Sequence, residues 1–251
     1  MQRIMRWNVL ISLILLVTAV TPATFRLARV QLARYRPLEA MAETVSTHRA
    51  ARLRPTRRCQ QCDLANADLS GQDLSRKNYT GANLSGANLN DTQLINAVLR
   101  QADMTRASLQ RANLQGADLA EANLSQADLG AAQMLNANLV KSDLANASLS
   151  QAELRDAVLC HTKMQGADLS EASLYGAILR QADLSNADLR GADLRYADLY
   201  QANLTNADLT GARLEFATLP DGSTDNPGYI QGVNPSQGCT LEASDGETDG
   251  Q

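Results

Sequence analysis

Aromatic side chains make up only 4% of this 251-residue chain, which contains 1 Trp and 2 Phe. A core of large interlocking rings is therefore excluded. Ala and Leu are abundant instead, so any core must consist of small and aliphatic side chains. Proline is absent between Cys62 and Leu219 and returns at Pro220, where backbone pairing is expected to stop.

Charge divides the chain into three segments. Residues 1–58 carry a net charge of +9, residues 59–219 carry −7 and residues 220–251 carry −6. In the first segment, the apolar run from Asn8 to Val20 has a length typical of a signal peptide rather than of a complete membrane span. The asymmetry predicts a basic leader, a mildly acidic body and an acidic tail.

The leader favours two placements of the protein. We predict that residues 1–25 are a signal peptide or membrane anchor, which exports the chain, cleaved or tethered, to a periplasm or thylakoid lumen. The alternative is an anchor with the repeats facing the cytoplasm, because the arginines at 26–36 outnumber those before the apolar run. Residues 26–58 are predicted to be a basic linker or a capping helix. Residues 222–251 are predicted to be an acidic, disordered tail.

A five-residue repeat occupies most of the chain. Every fifth position from Leu64 to Leu219 is Leu in 28 of 32 cases, and the phase never slips. Two residues earlier, 26 of 32 positions are Ala. The four positions without Leu hold Tyr79, Met104, Met134 and Met164.

A period of five fits neither an α-helix nor a long strand. On a helix, five residues advance the side chain by about 500°, so successive Leu side chains would spiral around the axis. On a long strand, an odd period sends every second Leu to the opposite face. Within one unit, however, Ala and Leu lie two residues apart and share one side of a short extended segment. If the chain turns the same way after each unit, the sequence predicts a coil with an apolar interior.

The units GANLS at 81–85, GANLN at 86–90 and GADLR at 191–195 resemble the A(D/N)LXX motif of the pentapeptide-repeat family. The resemblance covers residues 59–221 and implies an all-β solenoid, a right-handed quadrilateral β-helix with four units per coil. About eight coils then form a rod roughly 34 Å long at the usual strand separation of about 4.8 Å. Residues 20 apart should stack, and one such core ladder contains Leu64, Leu84, Met104, Leu124, Leu144, Met164, Leu184 and Leu204.

Cys59 and Cys62 form the one chemically suggestive motif. A zinc site needs about four ligands, and Cys160 and His161 belong to a coil roughly 20 Å away, so no metal or other cofactor is predicted. Two interpretations remain: a structural role, because Cys62 occupies an inward Ala-type position, or a redox-sensitive disulfide. The string RCQQCDL at 58–64 also resembles the start of the repeat region in cyanobacterial members of the family.

The aromatic residues of the repeat region concentrate near its C-terminal end. Tyr196 and Phe216 lie 20 residues apart, both two places after a central Leu, so they should stack on one outer face, with Tyr175 and Tyr200 nearby. On the adjacent face, Arg180 and Tyr200 are also one coil apart, a spacing suited to a cation–π contact. An exposed aromatic cluster is a candidate interaction patch. The alternative is that the rings stack only to protect the last coils.

These features favour a non-enzymatic scaffold or protein-interaction module, exported or tethered to a membrane. Catalytic groups must converge in a cleft, whereas polar residues here project outward from a filled rod, and no glycine-rich phosphate loop is present. The expected partner is another protein, with membrane contact through the apolar leader. End-to-end self-association is a further option, and direct nucleic-acid binding is not expected.

The family resemblance also implies an alternative, a cytoplasm-facing DNA mimic that acts on a topoisomerase such as gyrase. A mimic needs dense negative charge, because phosphate charges recur about every 1.7 Å along duplex DNA. Here a net charge of −7 is spread over the whole rod and interrupted by basic residues. The repeats also carry no loop insertion. We therefore prefer the scaffold.

Overall fold

The computed structural model describes residues 59–224 together with Cys239. All of them belong to one of the two compact units of the chain, Arg52–Gln251. The predicted leader, linker and capping helix in residues 1–58 lie outside the described residues, as does most of the predicted tail at 222–251. In the part that the structure describes, there is no helix long and apolar enough to span a membrane.

The β-structure consists of single-residue bridges rather than long strands. A bridge residue recurs at every fifth position, and each pairs in parallel with the residue 20 positions later, from Asp63 with Asn83 to Asp198 with Thr218. The chain therefore winds through four sides per coil, and residues 20 apart stack. We name the sides A, B, C and D after the bridge columns that start at Asp63, Asp68, Asp73 and Asn78.

Each unit ends in a turn that contains a left-handed residue. The N–H of Ala67 donates to the carbonyl of Leu64 at 3.0 Å, and Asn66, the third residue of this turn, has a φ of 56°. A positive φ recurs at every equivalent position from Gln61 to Phe216, as type II turns require. Most of these positions hold residues other than glycine, at a cost of roughly 1–2 kcal/mol each.

Asp and Asn side chains at the bridge positions stabilise the turns. The Oδ1 atom of Asp68 accepts the N–H of Ser70 at 3.2 Å and its hydroxyl at 2.7 Å. Asp208 accepts the corresponding bonds from Thr210 at 2.9 and 2.6 Å. The other N–H groups of each unit bond to neighbouring coils or across the turn. The outward carboxylates and amides thus satisfy the remaining donor, which explains their recurrence.

Acid should destabilise the rod through these carboxylates. Hydrogen bonds from Ser70 lower the pKa of Asp68 below its ordinary value of 3.8, and bonds from Thr210 do the same for Asp208. A depressed folded-state pKa gives stability that is present above the ordinary value and is lost as the pH falls through the folded value. We therefore expect the urea midpoint to fall as the pH drops below about 4.

The control for this prediction replaces Asp with Asn, which accepts the same hydrogen bonds without titrating. The double variant Asp68→Asn/Asp208→Asn should unfold at a midpoint that depends less on pH than that of the wild type. If both proteins lose stability equally in acid, the two carboxylates are not the source of the effect.

The interior is filled by the two repeated apolar positions. In the middle of the rod, the Leu-type and Ala-type side chains are buried. Polar residues that replace Ala there donate their hydroxyls to backbone carbonyls: Thr92 to Leu69 at 3.0 Å, and Ser142 and Thr162 to Leu139 at 2.8 and 2.9 Å. No buried side-chain nitrogen or oxygen among the described residues lacks a hydrogen-bond partner.

The core ladder is buried along its length except at one end. Its exposure runs from 7% at Leu64 to 0% at Leu184, whereas Leu204 is only partly buried. Leu209 and Leu214 of the same last coil are partly exposed as well. The apolar interior therefore reaches the surface at the C-terminal end of the stack.

The chain reverses direction after the last coil. Gly222 donates its N–H to the carbonyl of Leu219 at 2.9 Å, and Leu219 donates to Ser223 at 2.8 Å. Thr224 then pairs with Thr218 in an antiparallel bridge. Because Thr218 belongs to side D and already pairs with Asp198, this bridge adds one pairing beyond the last coil on that side.

Ala131→Gly should stabilise the rod. Ala131 is exposed and has a φ of 53°, so glycine relieves a left-handed penalty of roughly 1–2 kcal/mol and adds unfolded-state entropy worth about 0.5–1 kcal/mol. We expect the free energy of unfolding, measured by urea titration, to rise by about 0.5 kcal/mol. Ala145→Gly, at a turn position without positive φ, should instead destabilise. Equal effects at both sites would refute the conformational explanation.

Candidate functional site

Two aromatic rings stack on the outside of side C near its C-terminal end. Tyr196 and Phe216 occupy the third turn position of consecutive coils, with φ values of 60° and 64°. Their ring centroids lie 4.9 Å apart and their planes differ by 17°. At 42% and 40% exposure, they are the exposed large hydrophobic residues of the described chain. The turn geometry of the repeat therefore displays both rings to solvent.

Tyr175 extends this stack toward the preceding coil. Its ring centroid lies 5.1 Å from that of Tyr196, with an angle of 50° between the planes. The guanidinium carbon of Arg195 lies 5.3 Å from the centre of the Tyr175 ring, within cation–π range. The site thus combines aromatic faces with a cation. We call Tyr175, Tyr196 and Phe216 the aromatic patch.

An ion pair fixes the arginine beside the aromatic patch. Arg195 donates its Nε and Nη2 hydrogens to the carboxylate of Asp193 at 2.8 and 2.6 Å. This hydrogen bonding lowers the pKa of Asp193 and raises the pKa of Arg195. Both groups therefore stay charged at physiological pH, so the pair positions the guanidinium rather than transferring protons.

An open groove of about 440 Å³ adjoins the aromatic patch on side C. Its walls come from three consecutive coils and combine one phenol ring, one serine hydroxyl, two guanidinium groups and two carboxylates. Arg155 and Glu153 form an ion pair at 2.5 Å, as Arg195 does with Asp193. The groove therefore presents one aromatic ring among paired charges. Its lining residues are Glu153, Arg155, Ser173, Tyr175, Asp193 and Arg195.

Tyr200 lies on the side next to the aromatic patch. Tyr200 lies on side D, because it follows Tyr196 by four residues and the chain has turned onto the next side. There, the guanidinium carbon of Arg180 lies 5.9 Å from the centre of the Tyr200 ring. The aromatic patch thus lies on side C, and Tyr200 lies with Arg180 on the adjacent side, as the sequence spacing predicts.

Cys59 and Cys62 are joined by a disulfide in the first coil, with their Cα atoms 5.4 Å apart. Cys62 occupies its Ala-type position partly buried. Both sulfurs are engaged in this bond. In residues 59–224 and at Cys239, there is no group of three or more His, Cys, Asp or Glu residues arranged to hold a metal ion.

Cys160 and Cys239 form a second disulfide, which sequence reasoning missed. Their Cα atoms lie 5.7 Å apart although 79 residues separate them along the chain. Cys160 is fully buried, and its position just after a repeat Leu is one that normally faces outward. An even number of cysteines, 4 in all, was the only sequence signal for this pairing. At Cys239, therefore, the tail predicted to be disordered is fastened to the repeats.

A filled four-sided stack of five-residue turns, with its distinctive groups on the outside, defines a solenoid of the β-helix class. The particular family follows from the repeat itself. The chain belongs to the pentapeptide-repeat family, whose model, described as pentapeptide repeats in 8 copies, matches residues 62–101, 87–126, 117–155, 152–191 and 187–221. Membership implies the right-handed quadrilateral β-helix predicted from the sequence.

Solved pentapeptide-repeat structures are similar to this chain. HetL from the cyanobacterium Nostoc sp. strain PCC 7120, involved in heterocyst differentiation regulation, is 29% identical over 72% of this chain and 97% of its own, with a TM-score of 0.31. Trypsin-treated QnrB1, a plasmid-mediated fluoroquinolone resistance protein, is 21% identical over 62% of this chain and 86% of its own, with a TM-score of 0.50. The latter likeness concerns the fold alone. No match was found among curated proteins.

Proposed function

We propose that this protein is a non-enzymatic scaffold that binds a partner protein through the aromatic patch. The observation that carries this proposal is the stacked, exposed pair of Tyr196 and Phe216. Aromatic residues and arginine are enriched at protein interfaces and supply most of their binding hot spots. The repeat holds these rings on a rod, so a partner meets a surface that needs little reorganisation.

A binding role agrees better than catalysis with the rest of the molecule. The interior of the rod is packed with Leu and Ala side chains. The charged groups beside the aromatic patch are paired with each other, as in Arg155 with Glu153 and Arg195 with Asp193. Catalysis would require such groups to converge on a reacting atom, whereas here they neutralise one another along an open groove.

We place the protein in an oxidising compartment, a periplasm or thylakoid-type lumen, either free or tethered. All four cysteines of the chain are paired, and structural disulfides persist mainly in oxidising compartments. The apolar run at 8–20 supports export or membrane contact. A protease-protection assay on sealed vesicles, with an epitope at the C-terminus, tests this placement. Digestion from the cytoplasmic side would favour the cytoplasm-facing anchor instead.

The alternative function, a DNA mimic acting on a topoisomerase, has weaker support in the charges of the rod. Several carboxylates are neutralised by an arginine on the same or the next coil, including Asp91 by Arg111 at 2.8 Å and Asp188 by Arg190 at 2.5 Å. A duplex presents unpaired phosphates about every 1.7 Å. A gyrase supercoiling assay at micromolar protein concentration tests the mimic directly, and inhibition would replace our proposal.

Photo-crosslinking at the aromatic patch tests the scaffold. A photoreactive residue at Phe216 should form adducts with a partner protein in native extracts, and Tyr196→Ser in the same chain should abolish them. The control carries the photoreactive residue at Asn136, an exposed residue in the same turn position of side C. Equal adducts at both sites would refute a specific patch. Unchanged adducts after Tyr196→Ser, together with early melting, would favour stacking that only protects the last coils.

The end of the rod supports a second mode of association. Leu204, Leu209 and Leu214 are partly exposed in the last coil, so the rod ends in apolar side chains that a second copy could cover end to end. Sedimentation equilibrium of the wild type and Leu209→Glu tests this. Self-association that the variant does not weaken would exclude the end as its contact.

A further inference from the structure

Side D is the apolar side of the rod. At the bridge positions, sides A, B and C carry only polar residues in the described chain, whereas side D includes Val98, Val158 and Ile178. At the turn position that follows the repeat Leu, side D carries three consecutive small or apolar residues between Arg100 and Arg180. We call the following six residues the apolar strip: Val98, Ala120, Val140, Val158, Cys160 and Ile178.

Three of the six residues of the apolar strip are buried. Ala120, Val140 and Cys160 are 2%, 8% and 0% exposed, although their turn position faces out of the coil. At this turn position on the other three sides, none of the described residues is buried. The repeat geometry is the same on all four sides, so it does not account for this burial. At Cys160 the covering group includes Cys239, its disulfide partner.

The C-terminal segment of the chain begins at this side. Thr224 pairs antiparallel with Thr218, a bridge residue of side D. Gly222 lies against the Tyr200 ring of the same side, where an added Cβ would be 3.4 Å from Tyr200 Cε2. The segment therefore leaves the last coil at side D and not at the aromatic patch on side C.

The same segment is fastened to side D a second time, at the Cys160–Cys239 disulfide. Cys160 lies three coils before Pro220, which is a distance of roughly 14 Å at about 4.8 Å per coil. The chain from Thr224 to Cys239, about 15 residues, could extend to roughly 50 Å. The segment is therefore longer than the distance between its two contacts requires, and its extra length can lie on the strip. Between the two contacts the sequence contains Tyr229, Ile230 and Val233, which suit an apolar surface.

We propose that the apolar strip is the docking surface of this chain's own segment 225–238 and that the Cys160–Cys239 disulfide fastens the segment there. A dithiol that reduces the bond leaves one thiol on each cysteine and is itself converted to a disulfide. After reduction, only the contacts with the strip hold the segment. Those contacts bring the two thiols together, so they set how readily the disulfide forms again.

The test measures the effective concentration of the Cys160 and Cys239 thiols in glutathione redox buffers, with linked peptides identified by mass spectrometry. A flexible tether gives an effective concentration of about a millimolar, and docking should raise it above this value. The double variant Val158→Asp/Ile178→Asp makes the strip acidic, yet it installs the Asp that the repeat uses at bridge positions, so the coils should still fold. Melting of the reduced proteins checks this.

A matched control, Ser148→Asp, makes the same kind of change at a bridge position of side B. We expect the strip variant to lower the effective concentration at least tenfold and the control to leave it within twofold. Equal values for the two variants would overturn the docking proposal. It would also be overturned by free thiols at both cysteines in the oxidised protein, or by a disulfide that joins two chains.

Discussion

Leu144→Lys is expected to lower the melting temperature of the rod by about 10–20 °C. Leu144 is fully buried between Leu124 and Met164 in the core ladder. A lysine there must lose its proton, which requires its pKa to fall by about 3–5 units, or must force the coils apart. At about 1.4 kcal/mol per unit, this costs about 4–7 kcal/mol, a large part of the roughly 5–15 kcal/mol that stabilises a typical domain.

Two control variants separate burial from the mere addition of charge. Ala145→Lys changes the next residue, which lies in a turn and is partly exposed, so stability should change by no more than about 0.5 kcal/mol. Leu204→Lys places the charge in the partly exposed last coil, where local fraying limits the loss. In calorimetry, Leu144→Lys should therefore have the lowest melting temperature of the three variants. If Leu144→Lys melts at the same temperature as the wild type, the inward placement of the repeat Leu is wrong.

The core could be predicted from the sequence because few backbone conformations bury side chains that recur at every fifth position. Leu and Ala recur without a phase slip. Only a coil that turns after every unit directs both side chains toward a common interior. The family match confirms the repeat, and stacking at a spacing of 20 residues follows from four sides. The same spacing placed Tyr196 over Phe216, which the structure shows as stacked rings.

The turn conformation could not be predicted from residue type. Lys141, Tyr196 and Gly166 share a positive φ, although their intrinsic preferences for this region differ strongly. Backbone hydrogen bonds to neighbouring coils fix each turn, so tertiary pairing overrides local preference. The Cys160–Cys239 disulfide was unpredictable for another reason. Cys239 lies outside the repeat, so no register relates it to a coil.

The second large effect is expected at the ion pair of Arg180 and Asp198. Arg180 Nε donates to Asp198 Oδ2 at 2.5 Å, and the two side chains are only 11% and 19% exposed. Arg180→Ala leaves the carboxylate largely buried without this partner, a change that typically costs about 3–5 kcal/mol. The cation–π contact with Tyr200 is lost as well. We expect a fall in melting temperature of roughly 6–12 °C.

Arg111→Ala is the matched control, because its partner Asp91 lies 2.8 Å away in a pair whose side chains are 58% and 54% exposed. Solvent screens such a pair, so its loss should be much smaller. Adding Asp198→Val to Arg180→Ala should restore much of the stability, since side D already carries Val140 and Val158 at the equivalent positions two coils earlier. Equal losses at Arg180 and Arg111, or no recovery with Asp198→Val, would show that the stranded carboxylate is not the source of the cost.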